Sequence, residues 1–473
     1  MEEPAQFHQT TERLGTDPLS KLLLRLSLPS IVSMVAISIY NLVDTFWVAK
    51  LGYQSIAALT AVMPAWIICI AVGAGTGVGA NALAARRFGE RNTESANQVA
   101  AQTPLLSFGM GMLFMLAMNL FPYQICRLAG APPDVIDLSV QYFVILSWAM
   151  PFLFLGLIGR NVFQAAGDAV RPMIVTIFGQ VCNVILDPFF IFGWGFFPEM
   201  GVAGAAMATF ISNAMSVGLG IFYIASNRTP YRIKLHHFIP RWGVIHDIYR
   251  VGLPSMVMET TESIIFALFN HLVAGFGSIA LAAVGIAGRL SDLLFMPVVG
   301  TSHGLLPIVG YSLGAKLWKR LWGVVKLASI WTAIMMAAVT IFIEIFAPQM
   351  VRLFSKNPDL INIAVPGMRI FLSSMVVIGP TIMFITTFQG LSKGKDAMVL
   401  SLARQFIFFV PGLYVLSHFM GLNGVWLSMP VSDVLGFIVS GLWLYREYLV
   451  QKKSGLWLET SELNKTLYNA EVR

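Results

Sequence analysis

The sequence predicts an all-α integral membrane protein whose twelve transmembrane helices fall into two parallel six-helix repeats. Three observations carry this reading: the apolar composition, an internal repeat, and the distribution of charge between the connecting segments. Of the 473 residues, 56% are hydrophobic and only 12% charged, far from the make-up of a soluble domain. The chain also repeats itself at an offset of 225 residues. Leu28, Pro29 and Ser30 recur as Leu253, Pro254 and Ser255; Gly75, Thr76, Gly79 and Gly89 recur as Gly300, Thr301, Gly304 and Gly314. Gln124, Arg127 and Leu128 return as Gln349, Arg352 and Leu353, and Phe163 and Gln164 return as Phe388 and Gln389. A period this long is a duplicated domain rather than a solenoid unit.

The elements follow in order. Apolar runs of about 20 residues, the length a helix needs to cross the hydrocarbon layer, lie near 24–47, 56–83, 98–121, 135–158, 172–194 and 203–225. In the second half they lie near 251–273, 280–308, 323–346, 361–387, 398–419 and 424–445. Continuous stretches of this kind satisfy their backbone groups as helices, since barrel strands would alternate in polarity over about ten residues. Pro29 and Pro254, at matching positions, predict a bend point in each half, and Pro188 predicts a kink in the fifth span.

Loop charge orients the chain. Connections after even-numbered spans carry Arg86, Arg87, Arg91, Arg160, Arg171, Arg228, Arg232, Lys234, Arg241, Lys316, Lys319, Arg320, Lys393 and Lys395. Those after odd-numbered spans carry only Lys50, Arg127, Arg352 and Lys356. The positive-inside rule then places both termini and the central connection in the cytoplasm, as expected for a multi-pass protein of the inner (cytoplasmic) membrane. An even number of spans per half makes the repeat parallel, with its pseudo-twofold axis along the membrane normal. The expected organisation is a cytoplasmic segment 1–20, a first lobe 21–226, a linker 227–247, a second lobe 248–449 and a tail 450–473. The formal net charge of +7 is thereby a matter of topology. The charges are dispersed over loops and predict no nucleic-acid partner. Cys69, Cys126 and Cys182 share no spacing of a disulfide or metal framework, and no cofactor is expected. No metal-hydrolase pair or nucleophile elbow marks an enzyme.

Charges inside the membrane are costly and point to function. Asp44 lies nineteen residues after Arg25 and Asp187 sixteen after Arg171, rises of roughly 28 and 24 Å along helices that run the same way. Two carboxylates therefore reach similar depth with no Arg or Lys beside them. Together they can carry a proton, or with Asn41, Asn183 and Thr209 build an oxygen cage for sodium. In the second half Glu259 and Glu262 share one helix face, as do Arg289 and Asp292. All four fall near the midplane, where a Glu to Arg289 ion pair and an anionic vestibule for lipophilic cations are expected. Arg369, Arg404 and Asp433 are further cavity candidates.

The runs LSLPS, YNLVDTFWVAKLG and AALTAVMP, the RRFGERN stretch, FQAAGD, and NVILDPFFIFGWG leading to GVAGAAMAT resemble the multidrug and toxic compound extrusion family, nearest its DinF-like prokaryotic branch. The resemblance covers roughly residues 14–450. It implies a V-shaped, two-lobed transporter that exports amphiphilic, often cationic, organic compounds in exchange for protons or sodium, working as a monomer in the lipid bilayer. It further implies an ion-linked site at Asp44 and Asp187 with Tyr40, Asn161, Asn183 and Thr209, sodium contacting Asp44, Asp187, Asn183 and Thr209. The substrate cavity would involve Asn41, Glu259, Glu262, Arg289 and Asp292. The acid set of the second half departs from the NorM-like branch. A lipid-linked oligosaccharide flippase is the alternative, and would be expected to show a more basic cavity.

Overall fold

The computed structural model describes residues 5–195, 197–226, 229–354 and 357–453; the predicted tail from 450 lies largely outside them. A short helix α1 (Ala5–Thr16) precedes α2 (Leu19–Ala49), α3 (Tyr53–Gly89), α4 (Thr93–Leu120), a short α5 (Pro122–Leu128), α6 (Ile136–Ser147), α7 (Met150–Ala165), α8 (Val170–Phe192) and α9 (Val202–Ala225). The second lobe contains α10 (Trp242–Ala274), α11 (Ser278–Gly314), α12 (Trp318–Phe354), α13 (Pro358–Leu372), α14 (Met375–Gly390), α15 (Gly394–Leu402), a π-helical turn Ala403–Phe409, α16 (Val410–Met420) and α17 (Leu422–Lys453). Among the described residues nine helices are long and apolar enough to cross a membrane, and two bent pairs, α6 with α7 and α13 with α14, supply two more spans. The twelfth span is α10. Its middle carries Glu259, Thr260, Thr261, Glu262 and Ser263 in succession, which makes it the least apolar of the set.

The duplication is visible in the backbone. Each lobe breaks one span at the same place, by 54° between α6 and α7 and by 42° between α13 and α14; residues 148–149 and 373–374 differ by 225. Gln164 Nε2 donates to Ser30 Oγ at 3.2 Å, and Gln389 Nε2 donates to Ser255 Oγ at 3.1 Å, again the same offset. Bends were also expected at Pro29, Pro254 and Pro188, which sit inside α2, α10 and α8 without ending them. The breaks instead fall where the helix is interrupted by three-residue turns, and α7 restarts with Pro151 in its first turn.

The lobes meet at the end of the bundle that carries the Arg- and Lys-rich connections. There α3 lies against α10 and α11, and α2 against α11. Contact is backbone to backbone, through glycines related by the repeat. A Cβ at Gly89 would stand 2.8 Å from the amide of Ala315, and one at Gly314 would stand 2.9 Å from the amide of Glu90. Neither neighbour is a side chain that can swing away. Toward the opposite end α2 and α8 carry Asp44 and Asp187. The segment between the lobes is tied to the first: Tyr231 Oη donates to the carbonyl of Val162 (2.7 Å), the Arg232 amide to Asn97 Oδ1 (2.9 Å), and Gln102 Nε2 to the carbonyl of Ile239 (3.0 Å). α10 starts at Trp242, so this connection is shorter than expected.

Gly89→Ala should loosen the seal, lowering stability by roughly 1–3 kcal/mol as overpacking does. Gly156→Ala, where nothing lies within 4 Å of the added carbon, should be neutral or slightly stabilising. Thermal unfolding midpoints of the two variants in detergent give the comparison, and equal midpoints would contradict the close approach.

Candidate functional site

In the first lobe the folding of α2 against α8 brings Asp44 and Asp187 into electrostatic range of each other. Asp187 is fully buried, and Asp44 is partly buried with its Oδ1 enclosed and unpartnered. No Lys or Arg pairs with either acid among the described residues. Neutral polar groups surround them. Asn183, one turn before Asp187 on α8, is 2% exposed, and Thr209 comes from α9. The Asn183 amide donates from Nδ2 to Asp187 Oδ2 at 3.0 Å and to Oδ1 at 3.3 Å, while its oxygen accepts from the Thr209 amide at 3.1 Å and from Thr209 Oγ1 at 3.3 Å. This arrangement suits an ionised carboxylate, which only accepts. Tyr40, one turn before Asp44 on α2, lies within electrostatic range of both acids.

The structure thus gathers Asp44, Asp187, Asn183, Thr209 and Tyr40. Asn161 lies apart, with Nδ2 on the carbonyl of Leu157 (3.0 Å) and Oδ1 accepting from Asn81 of α3 (3.5 Å). Asn41 is exposed on α2. Two participants escaped the sequence reading: Tyr142 of α6, which lies within range of both acids, and Ser212. Tyr142 lies on α6 and Ser212 on α9, and neither stands at a chain spacing from Asp44 or Asp187 that would mark it.

The second lobe holds a cavity of about 250 Å³, walled by aromatic and methionine side chains and containing Glu262, Asp292, Arg404, Gln405 and Asp433. The π-helical turn at 403–409 widens the helix, so that two consecutive residues, Arg404 and Gln405, both reach the cavity. Ser432 Oγ donates to the Arg404 carbonyl at 2.7 Å, satisfying an acceptor within that turn. Arg404 Nη1 donates to Asp433 Oδ1 at 3.1 Å, and Ser374 Oγ donates to Asp433 Oδ2 at 2.6 Å. Glu262 is held more loosely. Its Oε1 lies 3.6 Å from Arg404 Nη2 and 3.5 Å from Gln405 Nε2, and its side chain is 54% exposed. The expected partner was Arg289. That residue is exposed on α11 and makes no ion pair among the described residues, because α10 lies along α15 and presents Glu262 to the π-helical turn instead. Asp292 lines the cavity as expected, Glu259 is exposed one turn from Glu262, and Arg369 pairs with Glu344 at 3.4 Å rather than facing the cavity.

Three residues at the basic end form a further cluster. Glu94 Oε1 lies 2.9 Å from His237 Nε2 and 3.2 Å from His236 Nε2, a spacing that metal ligands can have. His237 Nδ1 accepts from the Lys234 amide at 2.9 Å, which leaves the proton of the neutral ring on Nε2. A donor at that nitrogen suits the Glu94 carboxylate and not a metal.

Comparison with known proteins agrees with the duplicated architecture. A family model described as MatE matches twice, at residues 29–189 and 254–415. Over 447 residues the chain is 24% identical to the multidrug export protein MepA of Staphylococcus aureus (strain MSSA476), covering 94% of this chain and 97% of that protein. It is 25% identical over 422 residues to an FAD transporter of Shewanella oneidensis, covering 88% and 92%. Among solved structures, the outward-facing conformation of a multidrug resistance MATE family transporter of the MOP superfamily superposes with a TM-score of 0.89 at 28% identity, over 96% of this chain and 100% of the other. A MOP superfamily transporter from Pyrococcus furiosus, described as having reversed pocket polarity, gives 0.87 at 29% identity over 95% and 98%.

The two acids of the second lobe should differ in structural weight. Asp433→Ala leaves Arg404 buried without its closest anion and should cost about 3–5 kcal/mol, whereas Glu262→Ala should cost under about 1 kcal/mol because the pair is long and exposed. Unfolding midpoints in detergent decide it; a larger loss for Glu262→Ala would contradict the assignment.

Proposed function

We propose, since the chain belongs to the MatE family of multidrug efflux transporters and is no enzyme, that it exports amphiphilic, often cationic, organic compounds from the cytoplasm in exchange for inward protons or sodium ions. The observation that carries ion coupling is the pair Asp44 and Asp187, the second fully and the first partly buried, among neutral polar groups and with no ammonium or guanidinium partner among the described residues. A carboxylate in such surroundings gains most from an ion it can hold and release. A proton would neutralise Asp187 where it is buried; a sodium ion would take oxygens from Asp44, Asp187, Asn183 and Thr209. Relatives named as multidrug and FAD transporters are consistent with organic cargo of varied charge. The acids of both cavities disfavour the pyrophosphate-headed lipid of a flippase.

Coupling follows from exclusion. Ion and substrate occupy the cleft alternately, and the ion's arrival reorganises the contacts of α2, α8 and α9 so that substrate leaves outward. The backbone seal between the lobes closes the basic end, which the loop charges assign to the cytoplasm, so this conformation opens outward. Both lobes and both cavities belong to one chain, and a monomer is the transport unit.

Asp44→Asn keeps the shape and removes the exchangeable charge. Efflux from vesicles under separately imposed proton and sodium gradients should fall by at least about tenfold while expression and insertion survive; undiminished efflux would remove Asp44 from the mechanism. Topology has its own test. Leu235 is 90% exposed, so Leu235→Cys in a background lacking the native cysteines should stay unlabelled by an impermeant thiol reagent in intact cells, while Pro198→Cys reacts. Labelling at 235 in sealed cells would invert the orientation.

A further inference from the structure

The repeat places different chemistry at equivalent backbone positions, and Arg404 is the sharpest case. Its counterpart in the first lobe is Gly179, which faces Ser216 of α9. In the second lobe the small residue is on the other helix: Gly436 of α17 lies under the Arg404 stem, where a Cβ would stand 2.9 Å from its Cγ. A large cationic side chain thus enters the lobe through room that a glycine leaves. It is 90% buried on its side chain, with its Nε unpartnered, and Gln405 beside it is 3% exposed with Oε1 unpartnered. The cavity it enters is lined by three carboxylates, Glu262, Asp292 and Asp433, against this one guanidinium.

The two contacts of the guanidinium are unequal. Asp433 is bound at 3.1 Å, is itself fixed by Ser374, and is only 6% exposed. Glu262 is 3.6 Å away and open to the cleft. A cation that approached Glu262 would meet aromatic faces such as Phe266, Phe269 and Phe371, which attract positive charge. It would displace only the weaker arm of Arg404, and the stronger arm would stay on Asp433.

Resting on the export reading above, we propose that Arg404 is a specificity-determining residue: a built-in cation that occupies Glu262 in the absence of substrate and competes with cationic substrates for it. Its presence raises the threshold of charge and shape that a compound must meet before the second lobe accepts it. The size of the cavity fits a compact aromatic cation, and benzyltrimethylammonium is a suitable probe.

The test is binding of benzyltrimethylammonium to the full-length protein in detergent, measured by isothermal titration. Arg404→Gln should bind about tenfold more tightly than the wild type, and Glu262→Gln about tenfold more weakly. Tightening is the informative sign, because misfolding does not produce it. Should Arg404→Gln fold poorly with Asp433 left uncompensated, the Arg404→Gln/Asp433→Asn double variant removes the pair as a unit and should still bind more tightly than the wild type. Adding Glu262→Gln to it should abolish the gain. Wild-type binding that Arg404→Gln or the double variant leaves unchanged or weakens overturns this proposal alone. No binding by any of these proteins, together with no efflux of organic cations by wild-type vesicles, overturns it along with the export reading.

Discussion

A carboxylate closed off from water with no cation beside it is the constraint on which the first lobe turns. Asp187 is fully buried on α8 and draws its hydrogen bonds from an amide rather than from an Arg or Lys. Such a group is expensive as an ion in hydrocarbon, and a permanent salt bridge would have removed that cost at the expense of exchange. Packing α2, α8 and α9 around it supplies neutral polar groups in place of a counter-ion: the buried Asn183 amide and the Thr209 and Ser212 hydroxyls. The site can therefore accept a cation without being filled by one of its own side chains.

The second lobe solves the same electrostatic difficulty in the opposite way. The 225-residue offset sets Phe269 against Asp44, while Glu262 and Arg404 stand where the first lobe has Ile37 and Gly179. Here three carboxylates are met by one resident guanidinium, set on a π-helical turn and anchored by Asp433. Duplication has kept the backbone, down to the Gln164–Ser30 and Gln389–Ser255 bonds, and left each interior free to diverge. Among the described residues, the first lobe keeps its acids without a cationic partner, and the second sets a guanidinium among its own.

Much of this was legible in the chain. The 225-residue offset and the loop charges defined two six-span lobes, and counting residues from Arg25 and Arg171 placed Asp44 and Asp187 at one depth, where they meet. Asn183 was legible because it lies one helical turn before Asp187. What stayed hidden depends on tertiary geometry. Tyr142 comes to the acids from α6, a span far from both in the chain, so no spacing announces it. Arg404 meets Glu262 because α10 lies along α15, and the widened turn that aims it has no signature in ARQFIFF. Asn161 was expected beside the acids from the family resemblance, and on α7 its Oδ1 accepts from Asn81.

The central claim is that the buried acid pair of the first lobe links substrate export to an ion gradient. The most direct measurement is the rate at which an imposed proton or sodium gradient across reconstituted vesicles collapses when an organic cation is added. Wild-type protein is expected to dissipate one of the two gradients only in the presence of the cation, and Asp187→Asn, equally well inserted, to leave both intact. Substrate-dependent dissipation by Asp187→Asn at the wild-type rate would contradict the account.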